Sequence, residues 1–366
     1  MSLDRVGGSV ASFDFRYLPL LHRQGYVAPN SHLQLEMEHS PGGFVMNSVP
    51  GIFDHVLVLD FKSLYPSIMR TFKIDPMGLI EGLKHSGSSI EGFNGGYFDR
   101  EKHCLPDLIT MLGEQRDQAK KDNNNHLAQA IKIIMNSFYG VLGSTGCRFY
   151  DPRVCSSITL RGHEIIQTSR EWIEEQGLSV IYGDTDSLFV WLGDDPDAAE
   201  AEGVGKKLSL ALNQRWTKKL AQEFGIQSAL EIEFETHYLK FLMPTIRGSA
   251  LGSKKRYAGT VQKGAEQVMV FKGLEVVRTD WTPLAKLFQM ELFQRIFADQ
   301  PFEDFVVSTA AAVLRGEMDE RLIYRKRLRR KLEDYTKSAP PHVKAARKVR
   351  GKTLSRGDWV EYVITQ

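Results

Sequence analysis

The sequence predicts an α+β fold, because short apolar runs of strand length alternate with long stretches of helical periodicity. Residues 56–61 (VLVLDF) form an apolar run with Asp60 near its end, as expected of a central strand covered on both faces. Residues 179–182 and 187–190 are two shorter runs separated by Gly-Asp-Thr-Asp, which predicts a β-hairpin. Residues 160–176 have the pattern of an amphipathic helix.

The remaining segments fit the same class. Residues 1–53 contain paired glycines and several prolines, which favour irregular or edge structure, and the Gly- and Ser-rich stretch 81–100 predicts a loop. Two helical stretches, about 106–126 and 127–142, flank a turn marked by Asp-Asn-Asn-Asn. Farther on we expect an acidic loop at 194–202, a helix at 203–224, sheet over 253–277 and mostly helix over 282–337.

Composition excludes several classes of protein. The 366 residues allow two or three domains, and a net charge of only +2 does not indicate a protein that binds polyanions through bulk charge. The three cysteines form no CxxC pair, which excludes zinc ribbons and a disulfide framework and favours the reducing cytosol. Apolar residues nowhere run for the ~18 positions of a membrane span, and the N-terminus lacks the pattern of a secretory signal.

The charge is unevenly distributed along the chain. Residues 301–366 carry 15 Lys and Arg against 9 Asp and Glu. Within them, residues 321–331 (RLIYRKRLRRK) hold seven basic residues in eleven, and a second basic stretch covers 344–356. Such a pattern is typical either of a solvated helix face or of a surface that follows a phosphate backbone, and charge alone does not distinguish the two.

Three aspartates lie at the ends of predicted central strands. Asp60 closes the first apolar run, and Asp184 and Asp186 occupy the hairpin tip. A turn does not need two carboxylates spaced i, i+2, which point to the same side of an extended backbone. A single Asp at a strand end is often only a cap, whereas three grouped carboxylates need a neutralising cation, and Mg²⁺ suits such a site.

A group of cations maps to the predicted helical pair. Lys132, Asn136 and Tyr139 follow i, i+4, i+7 spacing and share one helical face. Arg116 and Lys132 lie eight residues to either side of the turn centre, so an antiparallel hairpin sets them opposite each other, with Lys120 one turn from Arg116. These are either ordinary surface charges or, as a unit, a site for a nucleoside triphosphate, which an Arg fork and Lys point charges bind well.

The segment Ser63-Leu-Tyr-Pro-Ser begins three residues after Asp60, where the first strand ends. Backbone N–H groups that the turn frees at Ser63 and Leu64 are suited to phosphate oxygens, and the ring of Tyr65 would then stand beside the sugar. The alternative is that Tyr65 fills the core beneath the turn.

Two further charged groups fall on predicted strands. The first is Lys254, Lys255, Arg256 and Tyr257; the second is Glu231, Glu233 and Glu235. The basic group either decorates an edge strand or contacts a nucleic acid backbone. The glutamates alternate and therefore share one strand face, which is either solvated or supplies one more carboxylate near the metals.

Together these segments resemble the family B DNA polymerases. Asp60-Phe-Lys-Ser-Leu-Tyr-Pro-Ser-Ile resembles the first polymerase motif, Lys132-Ile-Ile-Met-Asn-Ser-Phe-Tyr-Gly the second and Tyr182-Gly-Asp-Thr-Asp-Ser the third. The basic stretch from Lys254 to Tyr257 resembles a downstream motif of the family. Order and spacing agree, and residues 116–120, 272–281 and 340–346 resemble the bacterial polymerase II branch.

The resemblance implies a right-hand polymerase fold, with an antiparallel palm sheet, helical-hairpin fingers and a mainly helical thumb. The implied parts are a connecting segment from the exonuclease side (1–53), palm (54–102 and 144–280), fingers (103–143) and a partial thumb (281–366). The N-terminal and 3′–5′ exonuclease domains usual in this branch have no counterpart, and the opening Met-Ser-Leu is typical of an added leader. We therefore expect a polymerase fragment without proofreading, trimmed at both ends.

The resemblance also implies roles for individual residues. Asp60 and Asp186 would hold two Mg²⁺ ions with the backbone carbonyl of Phe61, and Asp184 would be less direct. Tyr65 would block a ribose 2′-hydroxyl. Implied contacts with the incoming nucleotide and its base pair are Arg116, Lys120, Lys132, Asn136 and Tyr139, with the backbone amides of Ser63 and Leu64. Implied DNA contacts are Lys254, Lys255, Arg256 and Tyr257, and in the basic thumb Lys326, Arg327, Arg329 and Arg330.

The implied activity is template-directed addition of deoxynucleotides to a primer 3′-hydroxyl by two-metal phosphoryl transfer, in DNA replication, repair and the SOS response. The implied partners are primer–template DNA and dNTPs, bound by a monomer in the bacterial cytoplasm, at the nucleoid and away from membranes. The full-length protein would also bind a sliding clamp. Two alternatives stay open: a folded but inactive fragment that binds primer–template, or another palm-type nucleotidyl transferase.

Overall fold

The computed structural model describes residues 8–30, 41–193, 198–246, 248–336, 338–351 and 353–364. The chain divides into two compact units, residues 1–48 with 55–237 and residues 49–54 with 238–366. The helices are α1 (Ser9–Arg23), α2 (Leu64–Thr71), α3 (Pro76–Lys84), α4 (Leu105–Lys121), α5 (Asn125–Leu142), α6 (Pro152–Glu174), α7 (Ala198–Phe224), α8 (Pro283–Phe297), α9 (Glu303–Leu314) and α10 (Pro341–Lys348). The strands are β1 (Gly51–Phe61), β2 (Ile90–Glu91), β3 (Tyr97–Phe98), β4 (Ser179–Asp184), β5 (Ser187–Trp191), β6 (Ile232–Met243), β7 (Tyr257–Lys263), β8 (Glu266–Lys272), β9 (Tyr324–Arg327) and β10 (Trp359–Tyr362).

The sheet of the first unit has the strand order β4-β5-β1-β6. Strand β5 runs antiparallel to both β4 and β1. In β1, Val56, Leu57, Val58 and Leu59 are all buried, so both faces of the strand are covered. The predicted central strand and the predicted hairpin are therefore confirmed, and so is the α+β class.

The predicted helical pair is α4 and α5. The turn between them ends at Asn124, whose side chain caps α5 by accepting a hydrogen bond from the backbone N–H of Leu127 at 3.1 Å. One face of α5 is buried through Ala128, Ile131, Met135 and Phe138, which follow the i, i+3, i+4 pattern of a core-facing stripe. Lys132 and Asn136 are consequently left on the exposed face.

A buried aspartate fixes the start of α4. The carboxylate of Asp75 accepts hydrogen bonds from the hydroxyl of Tyr17 in α1 at 2.9 Å, from the N–H of Gly78 in α3 at 2.7 Å and from the N–H of Leu105 in α4 at 2.7 Å. Burial raises the pKa of Asp75, and these donors oppose that rise by solvating the charge. Three helices of the first unit thus share one hydrogen-bonding centre.

The prediction of irregular or edge structure over residues 1–53 fits residues 24–30 and 41–50 but is wrong for residues 9–23. Residues 9–23 form α1, and Phe13, Tyr17 and Leu21, spaced four apart, bury one face of it. The prediction gave weight to the flanking glycines and to prolines, but Pro19 lies inside the helix and the buried aromatic face outweighs its cost. Residues 1–7 and 31–40 lie outside the described residues.

Three other boundaries differ from the predictions. The expected loop at 81–100 begins inside α3 and contains the small β2–β3 sheet. Helix α6 starts at Pro152, well before the predicted residue 160, because Asp151 caps it by accepting a hydrogen bond from the N–H of Arg153 at 2.8 Å. Of the predicted acidic loop, residues 194–197 lie outside the described residues, and α7 begins at Ala198.

The second unit begins its sheet with β6, β7 and β8 in that order, β7 running antiparallel to both neighbours. This confirms the sheet predicted over 253–277. Helices α8 and α9 follow, and Phe293 and Phe297 of α8 pack with Ala258 and Leu274. Among the described residues no helix is both long and apolar enough to cross a membrane.

The prediction of mostly helix over 282–337 is confirmed for α8 and α9 but is wrong for the basic run that follows them. The basic run contains β9, which pairs antiparallel with β10 from the far end of the chain. Leu328, Val343 of α10 and Val360 of β10 form a small buried cluster beneath them. The pairing joins residues more than 30 positions apart, so a local reading of the basic residues does not reveal it.

Candidate active site

The ends of β1 and β5 bring two of the predicted aspartates together. Asp60 is paired with Ser187 in the antiparallel register, and the Ser187 hydroxyl donates a 2.8 Å hydrogen bond to Oδ1 of Asp60. The backbone N–H of Phe61 donates to the carbonyl oxygen of Asp186 at 2.8 Å. The first and third motifs, more than 120 residues apart in sequence, therefore meet at one edge of the sheet.

The tip of the hairpin is a tight two-residue turn. Thr185 has φ = 59°, which is rare for a β-branched residue, and the N–H of Asp186 donates to the carbonyl of Asp184 at 2.6 Å. The backbone between the two aspartates is turned, not extended. The i, i+2 argument for a shared side therefore does not apply, and the turn itself keeps both carboxylates at the tip.

The carboxyl groups of Asp60 and Asp186 are partly buried and lie near other carboxylates, and both effects raise their pKa values. Burial raises the pKa of Asp60 to about 6, helped by the charges of Asp186 and Glu235 and opposed by Ser187 and Lys132. Burial also raises the pKa of Asp186, and Asp184 and Glu235 add to the effect. A divalent cation bound here would offset this repulsion.

The described residues contain no group of three or more His, Cys, Asp or Glu side chains that is arranged to hold a metal ion. Two carboxylates and a backbone carbonyl are nevertheless the donor set that Mg²⁺ accepts, because this ion keeps several waters and takes phosphate oxygens. The shared burial of Asp60 and Asp186 fits such an ion.

Glu233 and Glu235 lie in β6 and Glu231 directly precedes it, and the three side chains have two kinds of partner. Glu231 and Glu233 both bind Lys62, with Oε1 to Nζ distances of 2.8 and 2.5 Å. Burial lowers the pKa of Lys62, but the two glutamates outweigh it and leave the pKa above its usual value. Glu235, although exposed, acts electrostatically on both Asp60 and Asp186. Glu231 and Glu233 are thus paired with Lys62, and Glu235 is the member of the three whose charge reaches the two aspartates.

Helix α2 begins directly after β1. Ser63 precedes it with φ = 50° and Leu64 is its first residue, so the N–H groups of the first turn have no partners within the helix. Arg116 and Lys120 of α4 line a pocket of about 130 Å³ together with Lys62 and Ser63. Three cations and the N-terminus of α2 therefore border the same pocket, and both would bind a phosphate group favourably.

Two of the predicted residues of α5, Lys132 and Tyr139, act on different parts of the site. Lys132 acts on the carboxylates of Asp60 and Asp186, lowering the pKa of both. Tyr139 packs on Tyr65, with ring centroids 4.6 Å apart. Burial raises the pKa of the Tyr65 hydroxyl far above its ordinary value, so it stays protonated. Tyr65 is partly buried and packs against the core. The charge of Asp186 also raises the pKa of the Tyr65 hydroxyl, so Tyr65 borders the site as well.

A basic groove lies in the second unit. It encloses about 1260 Å³, and its lining includes all four predicted basic residues of the run, Lys326, Arg327, Arg329 and Arg330, with Arg325, Arg356, Tyr335, His342 and Trp359. The guanidinium of Arg325 lies 4.7 Å from the centroid of the Trp359 ring. Sequence reasoning included Arg325 and Arg356 only as members of the two basic stretches. It missed Tyr335, His342 and Trp359, which the fold of α10 and the pairing of β9 with β10 bring to the run.

The group at 254–257 only partly follows its prediction. Tyr257 opens β7, which lies between β6 and β8, so the group does not decorate an edge strand. Arg256 is held in an ion pair with Glu275, while Lys254 and Lys255 are exposed ahead of the strand. The ring of Tyr257 packs against Phe241 with centroids 5.2 Å apart. Lys254 and Lys255 are therefore the members that face solvent.

Comparison with known proteins identifies relatives across nearly the whole chain. The family model described as DNA polymerase family B matches residues 12–366. The chain is 54% identical to DNA polymerase II of Escherichia coli over 99% of its own length and 46% of that protein. It is 31% identical to a DNA polymerase of Archaeoglobus fulgidus, over 92% of this chain and 41% of that protein. The chain thus spans about half the length of these relatives, and the resemblance to the bacterial polymerase II branch is confirmed.

Proposed function

This chain belongs to DNA polymerase family B, and from that premise we propose that it adds deoxynucleotides to the 3′-hydroxyl of a primer under the direction of a template. The observation that carries the proposal is the meeting of Asp60 and Asp186 at one sheet edge, with pKa values raised by burial and by neighbouring carboxylates. Such a pair suits two-metal phosphoryl transfer. The relatives named as DNA polymerases support the same reaction.

Asp60, Asp186 and the carbonyl of Phe61 would hold two Mg²⁺ ions, with Asp184 less directly involved. When bound, the ions would lower the pKa of the primer hydroxyl and stabilise charge on the attacking and leaving oxygens. Ser187 fixes the Asp60 carboxylate by its 2.8 Å hydrogen bond, and the turn at Thr185 fixes Asp186. Glu235 adds negative charge beside both aspartates.

The incoming nucleotide would bind with its triphosphate near the start of α2. The N–H groups of Ser63 and Leu64 and the cations Arg116 and Lys120 would bind phosphate oxygens, since Ser63 and both cations border one pocket. Lys132 would neutralise charge on the leaving group, and Asn136 follows it by one turn on the same face of α5. Tyr65, packed on Tyr139, would exclude a ribose 2′-hydroxyl, and Tyr139 would border the new base pair.

In terms of polymerase parts, the first unit would contain the fingers (103–143) and most of the palm, and the second unit the end of the palm and the thumb. Primer–template DNA and dNTPs would be the partners of a monomer in the cytoplasm, and a sliding clamp would engage the full-length protein. The DNA backbone would contact the basic groove, together with Lys254 and Lys255.

A second candidate function is DNA binding without turnover. The basic groove favours it, because its arginines and lysines form a binding surface for phosphates within the second unit alone. This candidate predicts that the chain retains primer–template but does not extend it.

Primer extension on a recessed template, with Mg²⁺ and all four deoxynucleotides, tests the proposal. We expect extension by the wild-type chain, none after chelation of the metal with EDTA, and none from a folded Asp186→Ala variant. Substantial extension by Asp186→Ala would contradict the assignment of this carboxylate. DNA binding without any extension by the folded wild-type chain would favour the second candidate.

A further inference from the structure

A short segment, residues 42–46, lies along the tip of the β4–β5 hairpin in the first unit. Val45 forms an antiparallel bridge with Asp184. The N–H of Met46 donates to the carbonyl of Gly183 at 2.9 Å, and the N–H of Thr185 donates to the carbonyl of Phe44 at 2.7 Å. The segment therefore holds the backbone on both sides of Asp184, and the proposed reaction gives it no part.

Two glycines permit this close approach. A Cβ atom on Gly183 would lie 2.6 Å from Sδ of Met46. A Cβ atom on Gly43 would lie 2.7 Å from Oγ1 and 2.9 Å from Cγ2 of Thr185, and 3.1 Å from the hydroxyl oxygen of Tyr65. Contacts below 3.0 Å are inside van der Waals separation, so a side chain at position 43 would displace its neighbours.

The ring of Tyr65 is bounded by three neighbours. Tyr139 packs on it with centroids 4.6 Å apart. Gly162 of α6 leaves room for one ring edge, since a Cβ atom there would lie 3.3 Å from Cε1 of Tyr65. Gly43 stands at the remaining end, next to the hydroxyl group. The absence of side chains at two glycines therefore sets where this ring stands.

We propose that Gly43 is a specificity-determining residue, which fixes the Tyr65 hydroxyl and the hairpin tip and thereby sets the selection of deoxynucleotides over ribonucleotides. This inference rests on the proposed function, in which Tyr65 excludes the 2′-hydroxyl. It assigns residues 43–46 to the nucleotide site as a positioning element, with Gly42 outside the contact.

The 42–46 segment has little freedom to move away and relieve a clash. On its outer side, Nε2 of His163 donates to the carbonyl oxygen of Gly42 at 2.8 Å, and the rings of His163 and Phe44 lie 5.3 Å apart. On its inner side, the hydrogen bonds to Gly183 and Thr185 hold it to the hairpin. An added methyl group at position 43 must therefore move Thr185 and Tyr65.

The test compares three alanine variants in single-nucleotide incorporation, with kcat/KM measured for a dNTP and for the matching rNTP. Exclusion of the ribose 2′-hydroxyl depends on the placement of the Tyr65 ring. A 1 Å misplacement in an active site changes the reaction rate on the order of 100-fold. We therefore expect Gly43→Ala to lower the ratio of dNTP to rNTP efficiency by about tenfold. Gly162→Ala should have a smaller effect, because its closest contact is 3.3 Å. Gly42→Ala is the matched control, since no atom lies within 4 Å of the Cβ position of Gly42.

Tyr65→Ala gives the scale of the experiment, because it removes the excluding ring and should relax the ratio most. A ratio in Gly43→Ala equal to that of wild type and Gly42→Ala would overturn the inference. If Gly43→Ala does not fold, Gly162→Ala carries the test, together with Gly43→Ala/Thr185→Gly, which removes the two shortest clashes. An unchanged ratio in both would equally overturn it.

A measurement without turnover separates this inference from the proposed function. Tyrosine labelled with ¹³C at the ring gives NMR signals, and loss of one signal in Tyr65→Phe assigns Tyr65. We expect that signal to shift in Gly43→Ala and to stay in place in Gly42→Ala. Absence of incorporation by wild type would contradict the proposed function, whereas an unmoved Tyr65 signal in Gly43→Ala would contradict the positioning by Gly43.

Discussion

The acidic site of the first unit and the basic groove of the second handle charge in opposite ways. At the acidic site, Asp60, Asp184, Asp186 and Glu235 bring like charges together at a sheet edge, and burial raises the pKa values of Asp60 and Asp186. In the groove, six Arg and Lys side chains surround a volume of about 1260 Å³ that stays open to solvent. The acidic site concentrates electrostatic free energy in a few fixed groups, and the groove distributes it over many.

This difference has a physical basis in the secondary structure. Backbone pairing between β1 and β5 places the aspartates, and Ser187 fixes one of them at 2.8 Å. In the groove, the basic side chains project from β9 and its flanking loops, where alternate residues are exposed. Single substitutions should therefore have large effects at the acidic site and small, additive ones in the groove.

The largest effect is expected from Asp60→Asn, which keeps a hydrogen-bond acceptor for Ser187 but removes the charge. In the proposed reaction Asp60 binds the metal ions, and loss of such a carboxylate removes several kcal/mol of transition-state stabilisation, so incorporation should fall at least about 1000-fold. Single-turnover incorporation measures it. Asp122→Ala, which changes an exposed aspartate in the turn before α5, is the control and should retain activity. A fall in incorporation of less than tenfold in Asp60→Asn would show that the acidic site does not depend on the charge of Asp60.

Lys132→Ala should have the next largest effect. This side chain is the cation that lowers the pKa values of both Asp60 and Asp186, and removing one preorganised charge from a transition state costs on the order of 100-fold in kcat. Lys121→Ala, at the exposed end of α4, is the matched control. Equal activities of the two variants in pre-steady-state incorporation would remove Lys132 from the site.

A stability measurement sharpens the same comparison in the absence of metal. Burial raises the pKa of the Asp60 carboxyl from its ordinary 3.8 to about 6, so the ionised carboxylate opposes folding above pH 6 and ceases to do so as the pH falls towards 3.8. In EDTA, Asp60→Asn should therefore melt at a higher temperature than wild type at pH 8. The difference in Tm should shrink steadily as the pH is lowered from about 6 to 3.8. A difference in Tm that is independent of pH would show that the Asp60 charge does not oppose folding.

The smallest effects are expected in the groove. Arg329→Ala and Arg330→Ala should each weaken binding to duplex DNA a few-fold and lower the slope of log Kd against log salt concentration by about 1. Fluorescence anisotropy titrations at several salt concentrations measure both quantities. Lys218→Ala, on the exposed face of α7, should leave them unchanged. A large loss from one substitution, with no change in slope, would mean that the groove contains a specific contact.

Much of the fold was predictable because it depends on local patterns. The continuous apolar run at 56–61, the two hairpin runs and the helical stretch at 127–142 are all local signals, and the elements that they predict are confirmed. The two elements that the sequence did not predict, α1 and β9, depend on long-range burial or pairing. Phe13 and Tyr17 stabilise α1 by packing in the core, and β9 exists because β10 returns to pair with it.

By itself, the sequence determined the class of the fold, the family and the identities of the candidate site residues, because these depend on residue types and on spacing along the chain. Only the tertiary structure decided which groups meet. It separated Glu235 from Glu231 and Glu233, which bind Lys62, and it brought Gly43 against Tyr65 and Thr185. The reason is that a strand's periodicity fixes the face on which a side chain lies, whereas its electrostatic and steric partners depend on segments distant in sequence.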